Sequence, residues 1–466
     1  MNGSVDGSVD GSVDGSVDNT RSTLRGLFSA RRLRLAGTAL SAQLVVQALG
    51  LVTGILLVRV MDPAQFAWLT LAGSLLVTAT VLADMGLASA VLAEGGRQAG
   101  QPQTAWAAVR ADAGRVQSRL AMAALLLALP AGLFMFAQQH TGHAVAWALA
   151  LMALGTAVLQ ARNGLTLSVV RLAGDVAWQQ RADLALAAAR LAAVVLALAW
   201  WLDINAVMAL SLQALTALCM ALVLKRWWVA RQLAPTAAAV ATGRHTPALH
   251  RQLLHQGPNA LWFAVSSQFA LWLVAVLGTG ADVAALGALA RLAGVFTVIG
   301  VLMATLAQPY FARQHDTAAL GTAFVAINLI FSALLAAMLG MAAAWPQAVL
   351  WLLGRAYAGL ANELLWMVAA STLAAWSGAV YSLGCSRGWV LPLGWAVAAT
   401  LAGTVLAVAT LDLATPRGAL AMNTLIASLS LLAVLVFMAH HLRRLPGRDV
   451  KAATRSAVLG SGCHTT

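Results

Sequence analysis

Two arginines, Arg190 and Arg291, stand inside long apolar runs of the sequence. A guanidinium stays charged at any ordinary pH and presents a planar fork of five donors, which suits phosphate or carboxylate oxygens. Holding one at the centre of a membrane helix costs roughly 2.5–3.5 kcal/mol, so each needs a compensating interaction. At about 1.5 Å of rise per residue, Arg190 lies about 9 Å into its run from one side, and Arg291 about 12 Å into its run from the other. Two readings are open. Both side chains face an aqueous cleft and meet an anion, or each pairs with a buried acid or carbonyl. Acids are scarce: Asp84 is the candidate at the depth of Arg190, and Asp183, seven residues before it on the same run, is a poor side-chain neighbour.

A polar stripe accompanies the arginines. Gln43, Gln47, Gly50 and Gly54 recur at i, i+4, i+7 and i+11, one face of a helix. That face is either the wall of a polar cavity or a tight packing seam through Gly50 and Gly54. Thr70, Ser74 and Asp84 share a face of the next run. Asp84 lies about 27 Å along it, near a membrane surface, where it either anchors a loop or handles substrate or ions. Sequence signatures of hydrolases, metalloproteases, nucleotide-binding loops and dinucleotide-binding turns are absent. His245, His250 and His255 are five apart, which scatters them around a helix, and the three cysteines have no metal-ligand spacing. No cofactor, metal or disulfide is expected.

The elements carrying these residues follow from composition. Of 466 residues, 61% are hydrophobic and 10% charged; soluble domains carry about 25% charged residues. About 20 apolar residues cross a bilayer as a helix. Twelve spans fit, near 38–60, 66–91, 120–137, 144–161, 184–202, 206–224, 258–277, 283–306, 320–344, 364–384, 389–411 and 418–439. With a cytoplasmic N-terminus, 24 of the 29 Lys and Arg fall on the inner side. Only Arg59, Arg355 and Arg417 fall outside, and Arg190 and Arg291 lie within spans. This is the asymmetry that sets membrane topology, so the net charge of +13 reads as orientation and not as nucleic-acid binding.

The predicted organisation is then as follows. Residues 1–20 hold four Gly-Ser-Val-Asp repeats and form a disordered tail without a cleavable signal peptide. Residues 21–37 form a basic amphipathic segment suited to anionic lipids of the inner leaflet. A first set of six helices covers 38–224, a linker 225–257, a second set of six 258–439, and a basic tail 440–466. Two sets of six start on the same side, so a repeat between them would be parallel.

The run from Arg59 through Met61-Asp62-Pro63 to Phe66-Ala67 resembles the Arg-x-Leu-Gly-Pro-x-x-Tyr/Phe-Gly turn of the Wzx-type polysaccharide flippases, with Asp62 and Ala67 in place of its glycines. These flippases belong to the multidrug/oligosaccharidyl-lipid/polysaccharide (MOP) superfamily. Ala83-Asp84-Met85-Gly86-Leu87 is similar to that family's Asp-x-Gly-Leu, the stretch from Ala284 to Leu292 to the opening of its span eight, and Pro309 to the proline ending it. Span seven departs from the pattern: Gln268 and its neighbours include no acid. The resemblance implies an all-α integral membrane protein, two six-helix lobes alternating around a central cavity, in a bacterial inner membrane. It implies a lipid-linked oligosaccharide, typically on undecaprenyl pyrophosphate, as substrate, and transport without covalent chemistry. Arg190 and Arg291 would then meet phosphate, while Gln43, Gln47, Ser74 and Gln268 would meet sugar. Asp84 and Arg59 would serve gating or ion handling. A polysaccharide polymerase or glycosyltransferases would be partners. A cation-coupled drug or metabolite antiporter of the same superfamily, and a scaffold for glycosyltransferases, remain the rival readings.

Overall fold

The computed structural model describes residues 30–97, 104–200, 203–231, 246–303, 311, 317–387, 389 and 391–444. The 1–20 repeat, residues 21–29 of the basic segment, residues 232–245 of the linker, Pro309 and the tail beyond Arg444 lie outside the described residues.

The described chain is almost wholly helical. Its first half holds α1 (Ala30–Val60), α2 (Pro63–Asp84), α3 (Leu87–Arg97), α4 (Thr104–Gln138), α5 (His143–Leu172), α6 (Val176–Ala199) and α7 (Ala206–Ala230). The second holds α8 (Thr246–Leu277), α9 (Gly280–Leu302), α10 (Thr317–Ala344), the short α11 (Pro346–Trp351), α12 (Ala361–Cys385), α13 (Leu393–Thr410) and α14 (Pro416–Arg444). Twelve stretches are long and apolar enough to cross a membrane, α2 and α3 together making one of them. The protein is a multi-pass membrane protein. Leu126, Leu127, Phe134, Val405 and Ile330 are exposed on its flanks, as lipid-facing side chains are.

Local signals set the helix starts. Asp62 accepts from Ala64 N at 3.0 Å and Pro63 opens α2, while Asn205 accepts from Met208 N at 2.9 Å to open α7. Asp282 accepts from Thr279 N at 2.8 Å beside the start of α9. Between α2 and α3 the chain turns through left-handed Met85 (φ 41°) and Gly86 (φ 84°). Glycine suits this geometry and methionine accepts it at some cost.

The central helix is α2. It packs on α4, α5 and α7 of its own half and on α8 and α9 of the other. Gln65 ties its start to α7 by accepting from Ala206 N at 3.1 Å. Gly287 of α9 lets that helix approach: a Cβ there would collide with Oγ1 of Thr70 and stand 2.7 Å from its Cγ2. Helices α12 and α14 form the tightest pair of the second half, with α13 against α14.

Several helices run beyond the predicted spans. Arg110, Arg115 and Arg119 ride on α4 and Arg251 on α8, where loops were expected. Arginine and alanine are strong helix formers, so these segments remain helical past the lipid although hydropathy gives no sign of it. Pro130 and Pro258 lie inside α4 and α8. Such prolines persist where neighbouring helices or side chains satisfy the freed carbonyls.

Candidate functional site

The longer helices change the depth of the arginines. Helix α6 begins at Val176, so Arg190 lies about 21 Å from its start and about 14 Å from its end at Ala199. Helix α9 begins at Gly280, which puts Arg291 about 17 Å from that same far side of the protein. The two stand nearly level, where the sequence had placed Arg190 close to the other surface. One comes from each half of the chain, and α1 packs against both α6 and α9.

Arg190 donates from Nη2 to Oε1 of Gln213 on α7 at 3.2 Å. Arg291 lies with its Cδ over Gly54 and its Cζ 5.9 Å from the ring centre of the fully buried Phe66. Its Nε is buried and has no hydrogen-bond partner. Among the described residues neither arginine forms an ion pair. A charged donor left without an acceptor in the interior is costly, and an acceptor brought by a ligand would relieve it.

Gly54 fixes the direction of the α1 stripe. Because Gly54 faces Arg291, Gly50, Gln47 and Gln43 lie on the same side, from one turn to about 17 Å back toward the arginine-rich end. Gln43 and Gln47 are half-buried and make no hydrogen bond with a described residue. Ser74 is buried and accepts from Trp272 Nε1 at 2.7 Å, so it joins α2 to α8. Gln268 is half-buried and among the described residues its side chain approaches only Ser267 Oγ, at 3.4 Å. Gln213 was missed in the sequence reading. Its signal was present, as an amide within an apolar run, but the spacing did not connect it to Arg190.

Asp84 does not meet Arg190. Its carboxylate accepts from Gly86 N at 3.2 Å and Ala88 N at 3.1 Å, closing the turn that opens α3. Of the two roles open to it, the geometry is that of a loop anchor. Arg59 lies at the far end of α1, away from the central pair. It donates from Nε to Leu352 O at 2.9 Å and from Nη2 to Trp351 O, and stacks 4.5 Å from the Trp351 ring centre. It thus covers the C-terminus of α11 and links the two halves at that end. Gln139 makes a second link there, donating to Ala275 O at 2.7 Å. Two grooves, of about 560 Å³ between α13 and α14 and about 410 Å³ between α5 and α7, are lined by apolar side chains, with Thr156 and no arginine.

No protein-family model and no curated protein matches the sequence. Solved structures do match. An inward-facing multidrug-resistance MATE transporter of the MOP superfamily aligns over 85% of this chain and 94% of its own, with a TM-score of 0.64 at 15% identity. The lipid II flippase MurJ, in an inward closed conformation, aligns over 85% of this chain and 86% of its own, with a TM-score of 0.67 at 11% identity. A MOP superfamily transporter from Pyrococcus furiosus, whose binding pocket is described as reversed in polarity, gives a TM-score of 0.55 at 14% identity, over 88% of this chain and 94% of its own. The fold is that of the MOP transporters.

Proposed function

We propose that this membrane protein moves a lipid carrying an anionic, glycosylated headgroup from one leaflet to the other, in the manner of an oligosaccharide flippase of a bacterial inner membrane. The observation that carries the reading is the level pair Arg190 and Arg291, one from each half, without an ion pair to a described acid and with Arg291 Nε unpartnered. A pyrophosphate supplies the missing acceptors and can be held bidentately. Amides at Gln43, Gln47 and Gln213 offer donors and acceptors for sugar along the same path, while the lipid tail stays in the bilayer. An inside-negative potential aids outward movement of an anion by roughly 2.3 kcal/mol per charge and 100 mV. The rival of a cation-coupled antiporter needs an embedded acid, and Asp84 is engaged with backbone amides.

The test is flipping of a defined pyrophosphate-linked oligosaccharide lipid in vesicles. Arg291→Gln and Arg190→Gln should each lower the rate by about tenfold or more, the equivalent of one charged hydrogen bond. Unimpaired flipping by a well-inserted Arg291→Gln protein would reject the assignment.

A further inference from the structure

At the arginine-rich end, away from the central pair, α4, α5 and α7 bring two more arginines together. Arg110 donates from Nε to Thr166 Oγ1 at 3.0 Å, and its Cζ sits 4.7 Å from the ring centre of Trp228. Thr166 donates in turn to Arg162 O at 3.3 Å, so Arg162 stands one turn away on the same face of α5. Neither arginine forms an ion pair with a described residue. Helices α5 and α7 contain no acidic residue, and Asp112, the one acid of α4, pairs with Arg115.

The site is built rather than incidental. Trp228 belongs to a cluster of mutually tilted rings in which Trp178 and Trp227 lie 6.0 Å apart and Trp227 and Trp228 lie 6.4 Å apart. Trp227 Nε1 donates at 2.9 Å to Asp175, which is itself paired with Arg231, and this holds the cluster in place. The ring face of Trp228 holds the Arg110 plane, and Thr166 holds its edge, so the remaining donors of the fork are oriented before any ligand arrives. Arg162 is exposed beside them.

Depth names the ligand. Arg162 lies about 28 Å along α5 from His143, and Trp228 about 33 Å along α7 from Ala206. The hydrocarbon core of a bilayer is about 30 Å thick. Both residues therefore stand at headgroup level, where indole rings settle and where basic pockets between helices take lipid phosphates. We infer that Arg110, Arg162 and Trp228 form a lateral site for the phosphate of an anionic phospholipid from the leaflet at the arginine-rich end.

The experiment is native mass spectrometry of the full chain, with phosphatidylglycerol, phosphatidylcholine or inorganic phosphate added in separate arms. The wild-type protein should retain phosphatidylglycerol over phosphatidylcholine. Each arginine removed, as Arg110→Gln or Arg162→Gln, should lower that retention about fivefold. Arg162 is exposed, so its variant separates loss of binding from loss of fold. Arg181→Gln, an exposed arginine of the same end that belongs to neither site, should leave retention unchanged. Equal retention by wild type and Arg110→Gln/Arg162→Gln would overturn the inference. So would displacement of the lipid by equimolar inorganic phosphate, which would make free phosphate the ligand.

Discussion

Arg291 lies against Gly54, so closely that a Cβ on the glycine would stand 3.0 Å from the arginine's Cδ. The absent side chain on α1 is what admits the guanidinium between the halves. Gly54→Ala asks only a few tenths of an ångström from a flexible side chain and should cost under about 1 kcal/mol. Gly54→Leu should expel Arg291 from its place and lower flipping as far as Arg291→Gln does, with the protein still inserted. Wild-type rates in Gly54→Leu would show that the position of Arg291 does not matter.

Gly287 and Thr70 mark a close approach of the two halves. Thr70 is held in place by its bond to Phe66 O at 2.9 Å, so it cannot swing away from a new methyl group. Gly287→Ala should therefore destabilise the protein by about 1–3 kcal/mol. Thr70→Gly should recover most of that loss when combined with it, as interacting neighbours do. Thermal unfolding in detergent of the four proteins of this cycle measures the coupling.

Asp84 offers a clean separation of two roles. As a loop anchor it needs oxygens, not charge. Its two oxygens serve two different amides, so Asp84→Asn keeps one acceptor and should retain transport with a smaller loss of stability than Asp84→Ala, which should cost about 1 kcal/mol through the loss of both backbone bonds. Abolished transport in a stable Asp84→Asn protein would restore an ion-handling role.

Arg59 joins the end of α1 to α11 through two backbone carbonyls and an indole face. Removing charged hydrogen bonds worth about 1.5–3 kcal/mol should shift the far end toward open by about tenfold or more. The readout is the labelling rate of a Tyr357→Cys thiol, in a protein otherwise free of cysteine, with and without Arg59→Ala. An unchanged rate would mean that this link does not hold the end shut.

Tyr357 itself is buried near Asp62, and its hydroxyl has no partner. Burial, with the Asp62 charge adding to it, pushes the phenol up to about 12 from 10.0. An unfolded chain would ionise this group first, so the native state keeps its full advantage below pH 10.0 and loses it as pH rises toward about 12. Tyr357→Phe should cost little at neutral pH and should flatten the alkaline loss of stability.

How far these residues could be read in advance depended on what lipid demands of a sequence. Every predicted span has its helix, because a bilayer requires a long apolar run and tolerates little else. The ends were harder. Val176 to Asp183 opens α6 with polar side chains that hydropathy assigns to a loop, and that error of about two turns placed Arg190 at the wrong depth. The same blindness hid the start of α4, and with it the placement of Arg110. The face shared by Gln43, Gln47 and Gly54 was legible from spacing alone. Its object was not, since Arg291 meets Gly54 only through packing between helices far apart in the chain.

The level pair of like charges has a mechanical consequence. Arg190 and Arg291 belong to opposite halves, so on the proposed function whatever draws the halves together would also drive cation toward cation. An empty carrier would meet resistance to that motion, and one loaded with a negatively charged headgroup would not. The cargo would then license the conformational cycle, and electrostatics alone would discourage idle turnover without a passenger.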